Sequence, residues 1–340
     1  MKKVLVALSG GVDSSVCVHL LKEAGYDVSA VVLKMSPVHD ETVSDARRAA
    51  EEMGIPLVVK DMQKEFEEIV VSNFAKEYLS GRTPNPCIIC NPLVKFKGLI
   101  DTADELGIEC VATGHYAKLV KKDDVTFLCK GEVLERDQSY MLYRLPQSIL
   151  SRLIFSLAEI PKTEVREIAE KIGLSCAKKP DSQEICFIPD NDYAGYIKTN
   201  FGCPDEGEFI SPEGVPCGKH KGIIHYTVGQ RKRLGIALGR PVFVKKIEPE
   251  TGRIYLADEK DAYENEITVS DIAMTYENSI KDGMKATVKI RSRANDVPCT
   301  VHFEEGKLKA IFETPQKAPA KGQSAVFYDK NVTLGGGFIE

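Results

Sequence analysis

The sequence predicts a Rossmann-like α/β fold, a doubly wound parallel sheet, followed by two small β-rich domains. The first third of the chain alternates short apolar runs with helical patterns, which is the rhythm of parallel strands joined by crossover helices. After Phe187 the pattern changes to short β-like runs separated by Gly, Pro, Asp and Asn, which is typical of small β-rich modules. At 340 residues the chain is also too long for one ordinary hydrophobic core.

The elements of the predicted sheet follow in order from the start of the sequence. Apolar runs predict strands in VLVAL, VSAVVLKM and PLVVK, and at 110–113. Amphipathic spacing predicts helices at 14–24, 44–53, 64–79 and 93–106, with further helical patterns through 148–171. The stretch between 79 and 93 is interpreted as a Pro-rich loop.

The change of pattern predicts three domains with boundaries near residues 200 and 266. The first, 1–200, holds the parallel sheet, and the second, 201–265, is a central β-rich domain. The third, 266–340, contains KATVKIRSR and SAVFYDKNVTLGGG, which are short β-like runs with turn residues between them.

Composition places the protein in the cytoplasm and away from membranes. Hydrophobic residues make up 43% and charged residues 28% of the chain, and no apolar run approaches the roughly 18 residues that suggest a membrane span. The opening MKKVLVALSGG leads into a glycine turn instead of a cleavage site, so we interpret it as a strand. The ten cysteines lack the dense, even spacing of a disulfide framework, which favours a reducing compartment.

Two basic segments stand out in a chain whose net charge is -5. Residues 219–246 contain eight Lys or Arg and no acid, and residues 283–295 repeat this bias. Clusters of this kind dominate affinity for nucleic acid. A solvated surface explains either segment equally well on composition alone, but two clusters in the same half of the chain favour an anionic polymer as partner.

The motif LSGGVDSS lies between a predicted strand and a predicted helix. Glycines let the backbone approach a ligand, and a helix N-terminus supplies free N–H groups for an anion. Asp13 is a candidate ligand for Mg²⁺ shared with phosphates. The motif lacks the lysine of a Walker A loop, so it predicts a different class of phosphate site. Its residues are Leu8, Ser9, Gly10, Gly11, Val12, Asp13, Ser14 and Ser15.

The motif TPNPCIICN contains a C-x-x-C pair, Cys87 and Cys90. Such a pair ligates a metal, closes a redox disulfide or supplies a nucleophile, and the spacing alone leaves all three open. A third cysteine, Cys186, lies in another polar, Pro-bearing stretch. By contrast, Cys17, Cys110 and Cys129 fall inside predicted helices or strands, so we expect them to be structural.

Taken together, these motifs resemble those of a known family from end to end. The phosphate loop resembles that of the N-type ATP pyrophosphatases (the PP-loop superfamily). With TPNPCIICN, GHYAK, RDQSYML, ICFI, HYTVGQRKRLGI and GQSAVFY, the whole chain closely resembles the tRNA-specific 2-thiouridylases. The resemblance implies an adenine nucleotide alpha hydrolase-like catalytic domain, a central tRNA-binding domain and a C-terminal β-barrel.

The resemblance also implies the reaction and its partners. The family uses ATP, with Mg²⁺, to adenylate the C2 oxygen of the wobble uridine in the tRNA anticodon arm, and sulfur then displaces AMP. By resemblance, Cys186 carries a persulfide and Cys90 acts on it, freeing sulfide or closing a Cys90–Cys186 disulfide. An upstream sulfur donor, such as a cysteine desulfurase or a sulfur relay protein, is implied as a further partner.

The remaining site residues are carried over from matching motifs. The ATP site would add Met35 and Gly114 to the loop at 8–15, and the target base would meet Asn85, Pro86 and Cys87. Positions that match the family's tRNA contacts are His115, Asp137, Gln138, Ser139, Arg291, Ser292 and Gln323.

Three departures from the family pattern leave alternatives open. Cys87 replaces the usual Asp, so that Cys87, Cys90 and Cys186 match the ligand set by which related tRNA thiolases hold a [4Fe-4S] cluster with one open iron. Arg233 stands where the family usually has Gly and would add a phosphate contact, and the segment after Met35 is short. A competing reading of another class is a PP-loop ATP pyrophosphatase that amidates a small molecule, which would need neither paired thiols nor basic β modules.

Overall fold

The computed structural model describes residues 1–180 and 185–340, and its first sheet is the predicted parallel one. Five strands run parallel in the order β3-β2-β1-β4-β7. Their bounds are β1 Lys3–Ala7, β2 Asp27–Lys34, β3 Leu57–Asp61, β4 Cys110–Thr113 and β7 Leu153–Ile154. The intervening β5 and β6 lie elsewhere.

Helices cover both faces of this sheet, as the doubly wound prediction requires. Alternate strand residues enter two cores: Leu5 and Val31 pack on one face, and Val4 and Val6 on the other. The helices of this region are α1 Val12–Glu23, α2 Asp40–Met53, α3 Gln63–Phe66, α4 Ser72–Leu79, α5 Pro86–Cys90, α6 Phe96–Glu105, α7 Ser139–Leu142, α8 Gln147–Leu150 and α9 Lys162–Lys171.

The cysteine motif is helical, so the predicted Pro-rich loop ends earlier than expected. Asn85 caps α5 by accepting a hydrogen bond from the Cys87 amide at 3.2 Å, and Pro86 occupies the first helical position, where its missing N–H costs nothing. A π-helical turn, Asn91–Lys95, joins α5 to α6. A similar turn, Glu67–Val71, joins α3 to α4.

A hairpin that the sequence analysis did not predict connects the first region to the last. Strands β5 Ala117–Lys122 and β6 Val125–Lys130 pair with each other. The β6 strand then pairs with β17 Val332–Ile339 near the end of the chain. The first region and the C-terminal strands are therefore joined by backbone hydrogen bonds as well as by side-chain packing.

The central β region is a small sheet that follows helix α10 Tyr193–Phe201. Its strands are ordered β10-β11-β8-β9, with bounds β8 Gly207–Ile210, β9 Pro216–His220, β10 Val242–Glu248 and β11 Arg253–Asp258. Most of the basic segment 219–246 forms the long connection between β9 and β10. Five of its eight cations lie on this connection, and Lys219, Lys245 and Lys246 lie in the flanking strands.

The C-terminal region is the β-barrel that the resemblance implied. Six strands follow the order β12-β15-β14-β13-β16-β17, and pairing of β12 with β17 closes the ring. The remaining bounds are β12 Tyr263–Met274, β13 Met284–Lys289, β14 Val297–Glu304, β15 Lys307–Lys317 and β16 Ser324–Asp329. A separate hydrophobic core fills the barrel.

Membrane insertion through a helix finds no support in this fold. Across residues 1–180 and 185–340, none of the helices is both long enough and apolar enough to span a bilayer.

Candidate active site

A cavity of about 610 Å³ opens at the carboxyl ends of β1 and β2, where parallel α/β sheets bind their ligands. Its walls include Ser9 of the phosphate loop, Met35, Lys95 and Cys186. Two distant parts of the sequence, the first loop and the third cysteine, therefore meet in one space. A larger cavity of about 740 Å³ lies between 79–82, 245–250 and the barrel, away from the thiols and the phosphate loop.

The phosphate loop is held in a tight turn by its own hydroxyl groups. The Ser9 amide donates to Ser14 Oγ at 3.2 Å, and Ser14 Oγ donates to the Gly11 carbonyl at 3.1 Å. Gly10 has a φ of 71°, and a Cβ there would lie 2.4 Å from the carbonyl carbon of Asp45. Only glycine fits this position, and the turn delivers the free amides at the start of α1 to the cavity.

Asp13 has partners that the sequence analysis did not identify. Its Oδ1 accepts a hydrogen bond from the Tyr116 hydroxyl at 2.6 Å, and Lys162 Nζ lies 2.7 and 2.8 Å from its two oxygens. Lys162 begins α9, a position where a cation is unfavourable for the helix dipole. A lysine at this unfavourable position is the feature of the sequence that could have indicated a tertiary contact for Lys162. Gly114 lets β4 approach this group, because a Cβ there would lie 2.9 Å from the Asp13 carbonyl carbon.

The two thiols implied in sulfur chemistry lie close enough for Cys186 to act electrostatically on Cys90. Cys90 ends α5 and is buried, with its Sγ 3.9 Å from Met35 Sδ. Burial raises the pKa of Cys90 to about 12 and that of Cys186 to about 11, and Lys95 opposes the rise at both thiols. Cys186 is exposed and lies in the wall of the cavity. Cys17, Cys110 and Cys129 are buried, as expected.

The cysteine motif is clamped by the barrel and by α7. The Thr83 amide donates to the Lys321 carbonyl at 2.8 Å, and Gln323 Nε2 donates to the Thr83 carbonyl at 2.8 Å. Asn91 Nδ2 donates to the Met141 carbonyl at 2.8 Å. The buried Ile88, between the two cysteines, packs in a cluster with Tyr140, Tyr143, Val326 and Tyr328. The position of the thiol-bearing helix is therefore fixed by α7 and by the C-terminal barrel.

The triplet Asp137, Gln138 and Ser139 is engaged inside the protein. Asp137 is fully buried, accepting from the Gly131 and Ser139 amides at 3.0 and 3.1 Å and from Ser139 Oγ at 2.8 Å. Gln138 Oε1 accepts from the Tyr116 amide at 2.9 Å. These side chains shape the surface at the junction of the sheet and the barrel.

His115 and Arg291, both predicted to contact RNA, also have internal partners. The His115 ring hydrogen-bonds Thr113 Oγ1 through Nδ1 at 2.7 Å and stacks on Phe96, and burial lowers the pKa of His115 to about 3. It is therefore a neutral imidazole. Arg291 Nη2 donates to the Ala318 carbonyl at 2.7 Å, and burial lowers the pKa of the guanidinium. Ser292 follows in an adjacent half-buried turn.

Family profiles cover nearly the whole chain. A profile described as tRNA methyl transferase HUP domain matches residues 2–190. Profiles described as tRNA methyl transferase PRC-barrel domain and aminomethyltransferase beta-barrel domain match residues 196–258 and 264–339. The three matches follow the order of the parallel sheet, the central sheet and the barrel.

Full-length relatives agree on one name. The tRNA-specific 2-thiouridylase MnmA 1 of Clostridium botulinum (strain Okra / Type B1) is 44% identical over 345 residues, covering 99% of this chain and 98% of its own. The tRNA-specific 2-thiouridylase MnmA proteins of Lachnoclostridium phytofermentans and Acetivibrio thermocellus are 44% and 42% identical, each covering 100% of this chain and 99% of its own. On this full-length similarity, the chain belongs to the tRNA-specific 2-thiouridylase family.

Proposed function

We propose that the protein is an ATP-dependent tRNA-uridine 2-sulfurtransferase that makes 2-thiouridine at the wobble position. One observation carries the proposal: Ser9 of the phosphate loop and Cys186 line the same cavity. A reaction that couples activation by a nucleotide to sulfur transfer needs both groups within reach of a single base. The names of the full-length relatives support tRNA as the substrate class.

In the first step the loop at 8–15 binds the phosphates of ATP. The free amides at the start of α1 and the hydroxyls of Ser9 and Ser14 supply donors to the anion. The C2 oxygen of uridine attacks the α-phosphorus, and the bond to pyrophosphate breaks. The oxygen on C2 then leaves readily, because it departs as AMP. Met35, in the cavity wall, is proposed to contact the adenosine part of the nucleotide.

The residues as placed do not make Asp13 a magnesium ligand. Both carboxylate oxygens already contact the Lys162 ammonium, and one also accepts from Tyr116. A metal ion would have to displace this cation. We therefore assign Asp13 to the orientation of Lys162 beside the phosphate loop, and derive no step through a protein-bound Mg²⁺.

In the second step sulfur replaces oxygen on C2. The terminal sulfur of a Cys186 persulfide attacks the adenylated carbon, and AMP leaves with the electron pair of the C–O bond. The Cys90 thiolate then attacks Cys186 Sγ and breaks the S–S bond, which leaves sulfur on the uridine and a Cys90–Cys186 disulfide. A dithiol reductant reopens the disulfide, and an upstream sulfur donor, such as a cysteine desulfurase or a sulfur relay protein, restores the persulfide.

Cys87 raises the alternative of a [4Fe-4S] cluster held by Cys87, Cys90 and Cys186. The charges of Cys87 and Cys186 both affect Cys90, so the three thiols share one neighbourhood. Among the residues with described positions, however, no three His, Cys, Asp or Glu side chains are gathered closely enough to hold a metal ion. We derive no step through a cluster. Protein purified without oxygen that contains stoichiometric iron and acid-labile sulfide would reverse this assignment.

The anticodon arm of tRNA is proposed to lie against the basic segments 219–246 and 283–295. Phosphate binding there fits the exposed cations Arg231, Lys232 and Arg233. His115, the triplet 137–139, Arg291 and Gln323 are held by internal hydrogen bonds. We propose that they shape the RNA-binding surface and that Asn85, Pro86 and Cys87 border the target base. The expected location of this reaction is the cytoplasm.

The test is nucleoside mass spectrometry of tRNA incubated with protein, ATP, magnesium and a sulfur source. We expect 2-thiouridine from the wild type and a loss of at least about 100-fold in Cys186→Ser and Cys90→Ser, because each variant lacks one partner of the covalent step. Cys203→Ser is the matched control, since this partly exposed thiol lies outside the cavity. Undiminished 2-thiouridine in Cys186→Ser would refute the assigned chemistry.

A further inference from the structure

Lys95 is a half-buried lysine in the wall of the active-site cavity that the sequence motifs did not single out. It shares the wall with Ser9, Met35 and Cys186. In the described ranges 1–180 and 185–340, its ammonium makes neither an ion pair nor a hydrogen bond. By contrast, the lysine beside the phosphate loop, Lys162, is matched by Asp13.

The π-helical turn Asn91–Lys95 explains how Lys95 reaches the thiols. Pro92 lacks the amide that would continue an α-helix, so the hydrogen-bonding register changes at this point. In a turn closed by bonds from residue i to i+5, residues five apart are neighbours along the axis, whereas in an α-helix they face different directions. The turn thus places Lys95 beside Cys90, five residues earlier.

The ionisable groups around Lys95 leave its charge unbalanced near neutral pH. They are the thiols of Cys90 and Cys186 and the imidazoles of His39 and His115. Burial, with the charge of Lys95, lowers the pKa of both imidazoles, and burial raises the pKa of both thiols. All four groups are therefore neutral in the protein alone.

Two carboxylates also line the cavity, on the side formed by α2. Asp45 is paired with Lys179 and with Arg48 at 3.5 Å, and Glu41 is exposed to solvent. Neither forms an ion pair with Lys95 in the described part of the chain. A half-buried cation without a counter-ion stabilises an anion that enters its site.

We propose that Lys95 binds the anionic sulfur in transit, which is the ionised terminal sulfur of a Cys186 persulfide. The inference rests on the proposed sulfur transfer and adds a residue to it. A persulfide is a stronger acid than the thiol that carries it, so it enters as an anion where the thiols themselves remain protonated. In the proposed reaction the phosphates of ATP contact the loop amides at the start of α1 and Lys162. Lys95 therefore remains available to contact the sulfur.

The test compares an anionic and a neutral alkylating agent on the protein without nucleotide or tRNA. Iodoacetate and iodoacetamide both react by displacement of iodide, and peptide mass spectrometry measures the rate at Cys186. We expect Lys95→Met to lower the ratio of the iodoacetate rate to the iodoacetamide rate by about three- to tenfold, as expected for one charge acting over several ångströms in a partly solvated site. Lys95→Arg should keep most of the wild-type ratio.

Lys97→Met is the matched control, because Lys97 lies on the same helical segment but is exposed and paired with Asp101. Its rate ratio should equal that of the wild type. An unchanged ratio in Lys95→Met would overturn the inference. So would a loss of ATP affinity of about tenfold or more in Lys95→Met without a change in the ratio, since Lys95 would then serve the phosphates.

Different results would refute the proposed sulfur transfer to tRNA and the proposed role of Lys95. Calorimetric binding of ATP verifies that each variant is folded, and the alkylation ratio reports the charge at the thiol without any turnover. Absence of 2-thiouridine in reactions of the wild type would refute the proposed function while leaving the ratio intact. A normal yield of 2-thiouridine with an unchanged ratio in Lys95→Met would refute only the role of Lys95.

Discussion

Replacing Arg233 with glycine is expected to stabilise the protein and to weaken its binding of RNA. Arg233 adopts a φ of 62°, in the left-handed region that glycine occupies without steric cost. Its side chain is exposed in the loop between β9 and β10, and the described residues offer it no ion pair. A strained arginine with a solvated charge suggests that the charge, not the fold, requires this residue.

The expected changes in stability and in RNA affinity of Arg233→Gly come from two separate effects. A left-handed conformation costs a non-glycine residue about 1–2 kcal/mol, and the greater freedom of glycine in the unfolded chain offsets about 0.5–1 kcal/mol. Arg233→Gly should therefore raise the free energy of unfolding by about 0.5–1 kcal/mol. Loss of one phosphate contact should make the plot of log binding constant against log salt concentration shallower by about 0.7. At about 0.15 M salt this corresponds to a roughly fourfold loss of affinity for tRNA.

Urea unfolding and tRNA binding across a salt series measure the two effects. Arg233→Ala removes the charge but keeps the strain, so it should match the glycine variant in RNA affinity and the wild type in stability. Arg233→Lys should retain the wild-type salt slope. If the glycine and alanine variants unfold at the same urea concentration, the argument from strain is wrong. If both bind tRNA with the wild-type salt slope, Arg233 does not contact a phosphate.

Two further predictions concern the buried interface and the thiols. Tyr140→Phe removes the 2.8 Å hydrogen bond from the buried Tyr140 hydroxyl to the Ser324 carbonyl. Urea titrations should show a free energy of unfolding lower by about 1–2 kcal/mol. An unchanged free energy of unfolding would mean that another donor reaches that carbonyl. Because burial raises the pKa of Cys186 to about 11, its iodoacetamide rate should increase about tenfold per pH unit up to about pH 10. A plateau near neutral pH, seen by peptide mass spectrometry, would contradict that environment.

Four strands of the parallel sheet could be predicted because each is a local apolar run, whereas the two-residue strand β7 Leu153–Ile154 lies inside 148–171, where helical patterns were predicted. Strands β1, β2 and β4 are buried on both faces, and such runs appear as continuous hydrophobic sequence. The hairpin β5–β6 was missed since its first strand, Ala117–Lys122, is half exposed and rich in lysine. Strand β5 pairs with its neighbour β6, and β6 also pairs with β17 at Val332, which no local window of sequence contains.

The residues of the candidate site show the same contrast between local sequence motifs and contacts made only in the folded protein. The phosphate loop and the cysteines were found because each belongs to a contiguous motif with its own chemistry. Lys162 and Lys95 were not, because their significance comes from what they face: the Asp13 carboxylate for one and the thiols for the other. A lysine in a helical pattern is most often a solvated surface charge. Lys95 is distinguished only by its tertiary contacts, and Lys162 otherwise only by its place at the start of α9.

The clamp on the cysteine motif has a consequence for the order in which the protein matures. Thr83 is held by Lys321 and Gln323, and Gln323 is synthesised 240 residues after Thr83. Domains fold as they emerge, N-terminal first, so the sheet and the phosphate loop can form while the thiol-bearing segment still lacks its final supports. Nucleotide binding is therefore expected to arise during synthesis before sulfur chemistry does. A reactive persulfide site would then form only after the barrel has been synthesised.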